Sequence, residues 1–263
     1  MIRILCTSTK GGVGKSTIAQ QVATTYLLDR EGTGTLIELD DQNVDSRWMS
    51  SSKIESRQII VDGDAGFAVL DLFEEFAGKS FVLDIGNQTA EAALAAMGRN
   101  GLLGRFDLIL VPVKDVGQDV ENAKRTINKI REDEPSAKIV LVLNGLSRKT
   151  QDPNDRRIRA LYGDVFDLGE DLDVPVLIMP GVEGYGLSRN FGKTLPEIAD
   201  GADELIAQLR EKSLTLDRKG NGKEARRCMV LVEVVAIAKE ASTWIKQLHG
   251  KFDELRGANQ EAA

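Results

Sequence analysis

The sequence predicts a doubly wound α/β fold, in which helices flank a mostly parallel sheet and a helical extension follows at the C-terminus. Three observations support this prediction. Seven short apolar runs recur between residues 2 and 179, segments of helical character separate several of them, and a glycine-rich stretch directly follows the first run. Strands of a parallel sheet are covered by helices on both faces, so they form nearly continuous apolar runs.

The predicted strands are rich in Val, Ile and Leu and alternate little with polar residues, as strands buried on both faces do. They cover Ile2–Ser8, Thr35–Asp40, Gln58–Val61, Phe81–Ile85, Leu108–Val113, Lys138–Leu143 and Val174–Met179. Helices are predicted over Lys15–Arg30, Ala90–Met97, Gly117–Glu132 and Leu195–Glu211. Helices between strands imply crossover connections, and therefore a parallel sheet.

The chain divides into four predicted parts. Residues 1–212 form the α/β domain, 213–223 a linker, 224–257 one long helix and 258–263 a tail. The linker prediction depends on the segment 217–223, which is polar, rich in glycine and without an apolar period. In the long helix, apolar residues are spaced alternately three and four apart, which is heptad spacing. They are Leu231, Val234, Ala238, Ala241, Ile245, Leu248, Phe252 and Leu255.

The heptad pattern of the long helix leaves three hypotheses for its role. Small residues at 238 and 241 favour packing against a helix of a partner protein or of a second copy. The alternatives are folding back on the chain's own domain and binding to a membrane surface. The apolar stretch from Cys228 to Ala238 is interrupted by Glu233. It is also far shorter than the ~20 residues that span a bilayer.

The composition excludes several classes of protein. With 42% hydrophobic and 29% charged residues, the chain of 263 residues is typical of ordinary globular proteins rather than disordered ones. Cys6 and Cys228 are far apart in the sequence, which argues against a disulfide or a metal site. His249 is the only histidine, so a zinc site built on histidines and a Ser-His-Asp triad have almost no material to draw on.

The first residues leave no room for a secretory signal, because the first apolar run is short and glycines follow at once. We therefore expect a cytoplasmic protein. The formal net charge of −7 argues against a polycation that binds nucleic acid over its whole surface. Local basic clusters can still provide such binding.

The strongest motif is Lys-Gly-Gly-Val-Gly-Lys-Ser-Thr at 10–17, between a predicted buried strand and a predicted helix. Glycines allow backbone N–H groups to turn toward phosphate oxygens, and the N-terminus of the helix adds positive potential. Lys15 is predicted to contact the β- and γ-phosphates, Ser16 to ligate Mg²⁺ and Thr17 to contact the α-phosphate. The predicted nucleotide-binding residues are Gly11, Gly12, Val13, Gly14, Lys15, Ser16 and Thr17.

The standard P-loop pattern has glycine at the position of Thr9, whereas this sequence matches the deviant Walker A pattern with its additional lysine, Lys10. Over about residues 1–210 the chain resembles the ParA/MinD family of P-loop ATPases. The resemblance implies ATP and Mg²⁺ as cofactors and an ATP-dependent homodimer. It also implies that Lys10 acts in trans on the partner's phosphates, and that a partner protein stimulates slow ATP hydrolysis. A cation delivered to developing negative charge in a closed site acts as an arginine finger does.

Two strand ends provide candidate carboxylates. The resemblance assigns Asp40 to the attacking water and the Mg²⁺ shell. Glu38 and Asp41 depart from the family's pattern, so this switch is matched only in part. Gln42 and Asn43 carry over to the family's Gln and Asn-like turn positions, and a solvated loop explains them equally well. Asp84 ends an apolar strand in the manner of a Walker B motif, where a carboxylate can hold waters of Mg²⁺. The alternative role of Asp84 is as the N-cap of the helix predicted nearby.

Two residues are candidates for contact with the nucleotide base. Asn144 ends a predicted strand, and some relatives use such an asparagine to contact adenine. Pro180 matches the family loop that lines the adenine. Because Asn144 is followed by Gly-Leu-Ser rather than by a guanine-specific motif, ATP is favoured over GTP. A turn at Asn144-Gly145 explains the asparagine without a ligand.

The family resemblance leaves three hypotheses for the function. The first is a ParA-like ATPase of plasmid or chromosome segregation, or of DNA transfer, which holds DNA without sequence preference. Its candidate contacts are two basic clusters, one of Arg148, Lys149, Arg156, Arg157 and Arg159, the other of Arg210, Lys212, Arg218, Lys219, Lys223, Arg226 and Arg227. The second is a MinD-like positioning ATPase on a membrane. The third is a metabolic P-loop enzyme, although the two cysteines do not suffice for an iron–sulfur site of the kind that bridges a dimer.

Overall fold

A computed structural model describes residues 1–40, 46–61, 65–146, 150–181 and 184–257. It contains a sheet of seven strands in the order β3-β2-β4-β1-β5-β6-β7. The strands are β1 (Arg3–Cys6), β2 (Gly34–Asp40), β3 (Ile54–Ile60), β4 (Phe81–Ile85), β5 (Leu108–Val113), β6 (Ile139–Leu146) and β7 (Val176–Pro180). Every pair of neighbouring strands is parallel. The predicted doubly wound sheet is therefore confirmed.

The helices of the described residues are α1 (Lys15–Ile18), α2 (Thr24–Glu31), α3 (Ala65–Glu75), α4 (Asn87–Arg99), α5 (Gln118–Asp133), α6 (Arg156–Asp171), α7 (Gly184–Leu187), α8 (Leu195–Asp200), α9 (Ala202–Arg218) and α10 (Gly222–Gly257). A π-helical turn, Ala19–Ala23, joins α1 to α2. Helices α3 and α6 are absent from the sequence prediction. In α6, apolar positions are sparse among charges, and the start is marked only by Asp155, whose carboxylate accepts hydrogen bonds from the backbone N–H groups of 157 and 158.

The core lies on both faces of the sheet, and alternate residues of β1 point to opposite sides. Leu5 packs in the cluster that contains α3, α4, α5 and α6. Ile4 and Cys6 pack in the opposite cluster, with α1, the π turn and α2. The edge strand β3 begins at Ile54, four residues before its predicted start, because an edge strand tolerates the exposed polar residues at 55–57.

Helices α9 and α10 form an antiparallel hairpin, which corrects the prediction of a linker over 213–223. Helix α9 continues to Arg218, and α10 begins at Gly222. Ser213 is buried there, and its hydroxyl donates to the Ala225 carbonyl at 2.9 Å. Gly220 has a φ of 77°, which suits glycine and closes the turn. The segment lacks an apolar period because it is the exposed tip of a hairpin.

The C-terminal helix is confirmed, but it folds back on its own domain instead of meeting a partner. Its predicted seam is buried within the chain: Val234, Ala238, Ala241, Ile245, Leu248 and Phe252. The last three join the core cluster that contains β1, and the alanines pack against α8 and α9. The heptad pattern thus identified the buried face correctly, whereas the favoured hypothesis of a partner helix was wrong.

None of the helices within the described residues is both long and apolar enough to cross a membrane.

Candidate functional site

The glycine-rich motif at 10–17, called the phosphate loop below, connects β1 to α1 at the carboxyl edge of the sheet. Gly12 and Gly14 have φ values of 78° and 93°, so two positions of the loop adopt the left-handed conformation that glycine favours. The loop borders a cavity of about 490 Å³. The cavity is lined by Gly11, Gly12, Gly14, Lys15, Ser16, Thr17, Glu38, Asp40, Asp84, Gly86 and Asn87. The structure therefore brings the predicted loop and both predicted carboxylates to one site.

Lys15 is buried at the start of α1, and its Nζ donates to the Lys10 carbonyl at 2.9 Å. Burial lowers the pKa of its ammonium group, against the opposing effect of the Asp84 and Asp40 carboxylates. The ammonium group of Lys15 is thus held by the backbone of the loop and borders the cavity.

Asp84 is a buried carboxyl group of the site. It lies on β4 with Cys6 of β1 and Glu38 of β2 as its neighbours in register. Desolvation raises its pKa to about 7, with nearby Glu38 and Asp40 adding to the rise, whereas Ser16 and Lys15 oppose it. Its Oδ1 atom has no hydrogen-bond partner among the described residues. Helix α4 takes Gly86 as its N-cap, so Asp84 does not have the alternative capping role.

The donors around Asp84 fit a divalent cation, because a buried carboxylate oxygen without a partner lies beside the Ser16 hydroxyl. The described residues contain no group of three His, Cys, Asp or Glu side chains that could hold a metal ion by themselves. Mg²⁺ usually keeps several waters and takes one or two carboxylates together with substrate phosphates. The set Ser16, Asp40 and Asp84 is compatible with that mode of binding.

Asp40 occupies space that only glycine leaves open at position 86. A Cβ atom on Gly86 would lie 2.6 Å from Asp40 Cγ. The close approach of the Asp40 carboxylate therefore requires glycine at position 86. The side chain of the next residue, Asn87, lies close to Gly11. A Cβ atom on Gly11 would be 3.4 Å from Asn87 Nδ2.

Lys10 forms an ion pair with Asp119 in the first turn of α5. Asp119 is buried, and its Oδ2 accepts from the backbone N–H of Asp115 at 3.0 Å and of Lys114 at 3.3 Å. Sequence reasoning missed Asp119, because an acidic residue in the first turn of a helix is ordinarily explained by the helix dipole. Within one copy, the lysine predicted to act in trans is held in cis.

Asn144 lies beneath the phosphate loop. Its Nδ2 donates to the Val13 carbonyl at 3.1 Å, and a Cβ atom on Gly14 would lie 1.8 Å from that nitrogen. Pro180 is buried at the end of β7, where its carbonyl accepts from the Tyr185 hydroxyl at 3.4 Å. Contact of either residue with a base stays a prediction. A second cavity of about 430 Å³ lies on this side of the loop, bordered by Lys10, Gly145 and Tyr162 among others.

Several residues discussed from the sequence lie outside the described residues: Asp41, Gln42 and Asn43 after β2, Arg148 and Lys149 after β6, and the tail 258–263.

Neither a protein-family model nor a curated protein matches the chain. Several solved structures match the chain. Apo McdA of Cyanothece is 14% identical, with 75% of this chain and 92% of that chain covered and a TM-score of 0.54. A nucleotide-binding protein of Archaeoglobus fulgidus in complex with ADP is 15% identical, with coverage of 73% and 86% and a TM-score of 0.47. A putative plasmid partition protein of Borrelia burgdorferi bound to AMPPNP is 15% identical, with coverage of 72% and 88% and a TM-score of 0.46. The likeness to McdA shows that the two chains share a fold.

Proposed function

We propose that the protein is an ATP-dependent dimerising switch that hydrolyses ATP to ADP and phosphate and acts in plasmid or DNA segregation, or in a related DNA-transfer process. One observation carries the proposal: a loop with left-handed Gly12 and Gly14 and buried Lys15 faces Asp40 and Asp84 across one cavity. A cavity lined by backbone amides, one lysine and carboxylates suits a triphosphate with a divalent cation.

In this proposal each residue of the cavity has a separate task. The amides of 11–17 bind phosphate oxygens, and Lys15 leaves the Lys10 carbonyl for the β- and γ-phosphates. Ser16, Asp84 and Asp40 would hold Mg²⁺, which would supply positive charge to the phosphates. Asp40 also orients the attacking water. Phosphoryl transfer needs mainly positioning and charge stabilisation, which these groups provide.

Dimerisation follows from the state of Lys10. To act on the nucleotide of a second copy, its ammonium group has to leave Asp119. The γ-phosphate of the facing protomer offers more negative charge than one carboxylate, so ATP favours the exchange. ADP lacks that group, and the dimer then separates.

The surface proposed for DNA is the tip of the α9–α10 hairpin. Seven exposed basic residues lie there within the segment 210–227, and none of them is part of the ion pairs between described residues. Phosphate contacts by such residues are independent of base sequence and weaken steeply with salt. A partner protein that stimulates hydrolysis completes the switch.

The test combines two retention assays at low salt, one with duplex DNA and one with anionic liposomes, each with and without ATP. The proposal expects DNA retention only with ATP. Retention on liposomes instead would select a membrane-bound positioning ATPase.

Asp40→Ala is expected to keep ATP binding and lose turnover, and full turnover in that variant would contradict the role of Asp40.

A further inference from the structure

The helix after the phosphate loop contains one π-helical turn, Ala19–Ala23, between α1 and α2. A π turn places one additional residue in a helix, and such turns occur frequently at functional sites. Two threonines stabilise this one. Thr24 Oγ1 donates to the Ala19 carbonyl at 2.6 Å, and Thr25 Oγ1 donates to the Gln21 carbonyl at 2.7 Å. The sequence therefore specifies the turn by local hydrogen bonds.

Three consecutive residues of this turn contact three distant parts of the fold. Gln20 Nε2 donates to Glu38 Oε1 at 3.3 Å, and Glu38 lines the nucleotide cavity. Gln21 donates to the Ser188 hydroxyl at 3.2 Å and accepts from the Leu195 N–H at 2.9 Å. The Val22 carbonyl lies 3.0 Å from His249 Nε2 on α10. The turn thus joins the cavity, the segment after β7 and the C-terminal helix.

His249 is 2% exposed, and oxygen atoms face both of its ring nitrogens. Nε2 also lies 3.3 Å from the Thr25 hydroxyl. Because a carbonyl oxygen can only accept, the form of the ring that carries a hydrogen on Nε2 donates to Val22. Nδ1 lies 2.6 Å from Asp29 Oδ2, and this hydrogen bond lowers the pKa of the Asp29 carboxyl group. The edge of the imidazole packs on Tyr26, with ring centroids 5.5 Å apart. The ring is thereby fixed on the π turn.

We propose that His249 is a positioning residue for the nucleotide site, which acts through the Val22 carbonyl and the π turn on Gln20 and Glu38. The inference depends on the proposed nucleotide binding. A π turn that relaxes to regular α-helix rotates Gln20 relative to β2 and turns the start of α1, where the phosphates are held. His249 opposes this relaxation by holding the turn from α10. Nucleotide and helix are coupled reciprocally, since linkage is symmetric for binding.

The closing experiment measures ATP affinity of full-length variants by calorimetry. Asparagine has its amide nitrogen near the position of Nδ1, and glutamine has it near Nε2. His249→Asn is therefore expected to lose the bond to Val22 and weaken ATP binding about fivefold or more, whereas His249→Gln recovers most of the affinity. Val235→Ala is the control. This residue is buried on the same helix but packs against α8 and α9, so its truncation lowers the melting temperature without changing ATP affinity.

Unchanged ATP affinity in His249→Asn would overturn the inference, and so would an equal loss in Val235→Ala. Wild type that fails to bind ATP would overturn the proposed function as well, so the two failures differ. Amide exchange in the wild type needs no variant to fold. An ATP analogue is expected to slow exchange about fivefold at positions 245–252 of α10, and unchanged exchange there would contradict the coupling.

Discussion

The phosphate loop and the C-terminal helix differ in how far away in the sequence their partners lie. The loop is specified within residues 9–17, and its left-handed glycines and the helix that follows are local features. The helix α10 is specified by contacts across the chain, such as His249 with Val22, 227 positions apart. A local sequence motif predicts the chemistry of its own residues. The apolar face of a helix predicts only that the face is buried, and not which part of the protein buries it.

Phe252→Ala provides the strongest test of this difference. Phe252 is fully buried with Tyr26 in the core cluster that contains β1. If α10 belongs to the domain, the truncation lowers the free energy of unfolding by about 3–5 kcal/mol, through lost burial and a cavity. Leu214→Ala, at an exposed position of α9, changes it by less than about 0.5 kcal/mol. Equal, small effects in urea unfolding would show that α10 is dispensable for the fold.

Lys15→Ala tests the local region. The variant is expected to bind ATP about a hundredfold more weakly or worse, because it leaves phosphate charge unpaired in a desolvated cavity. Lys129→Ala, which removes an ion pair with Glu91 on the far side of α5, serves as the control and leaves affinity unchanged. Calorimetric titration measures both. Wild-type affinity in Lys15→Ala would refute the assignment of the phosphate loop.

The sequence predicted the strands, the phosphate loop and the meeting of Asp40 with Asp84, because carboxyl ends of parallel strands share one edge of a sheet. It did not predict the ion pair of Lys10 with Asp119, since nothing in one residue records which charge lies opposite it in the fold. Nor did it predict that Asn144 supports the loop. The side-chain amide of an asparagine can close a turn, bind a base or donate to a backbone carbonyl. Which of these Asn144 does depends on the fold, which places the end of β6 next to Val13 of the phosphate loop.

The pH dependence of stability tests the burial of Asp84. Its pKa of about 7 lies above the model-peptide range, so the folded, ligand-free protein holds a proton that the unfolded chain has released. The contribution of Asp84 to the free energy of unfolding is therefore fully present below about pH 4. It falls as the pH rises toward 7 and stays level above that pH. The total effect is on the order of a few kcal/mol.

Asp84→Asn removes this contribution. The variant is expected to be more stable than wild type at pH 8 in the absence of nucleotide, and to show no tightening of ATP binding by Mg²⁺. Thermal unfolding from pH 5 to 8 measures the first effect, with Asp71→Asn on α3 as a control. Parallel pH profiles for wild type and Asp84→Asn would show that burial does not perturb this group.

The smallest expected effect concerns the ion pair that connects the loop to α5. Lys10 is partly exposed and Asp119 is buried, so the pair contributes about 1 kcal/mol or less, as ion pairs near a surface do. Asp119→Asn releases Lys10 while it retains an oxygen for the backbone N–H groups of 114 and 115. If this pair competes with the contact in trans, the variant dimerises about two- to fivefold more tightly with ATP, as sedimentation measures. Lys10→Ala is expected to bind ATP and to stay monomeric in the same measurement, because it lacks the cation proposed to act in trans. Weaker dimerisation in Asp119→Asn would mean that Asp119 orients Lys10 for its partner instead of retaining it.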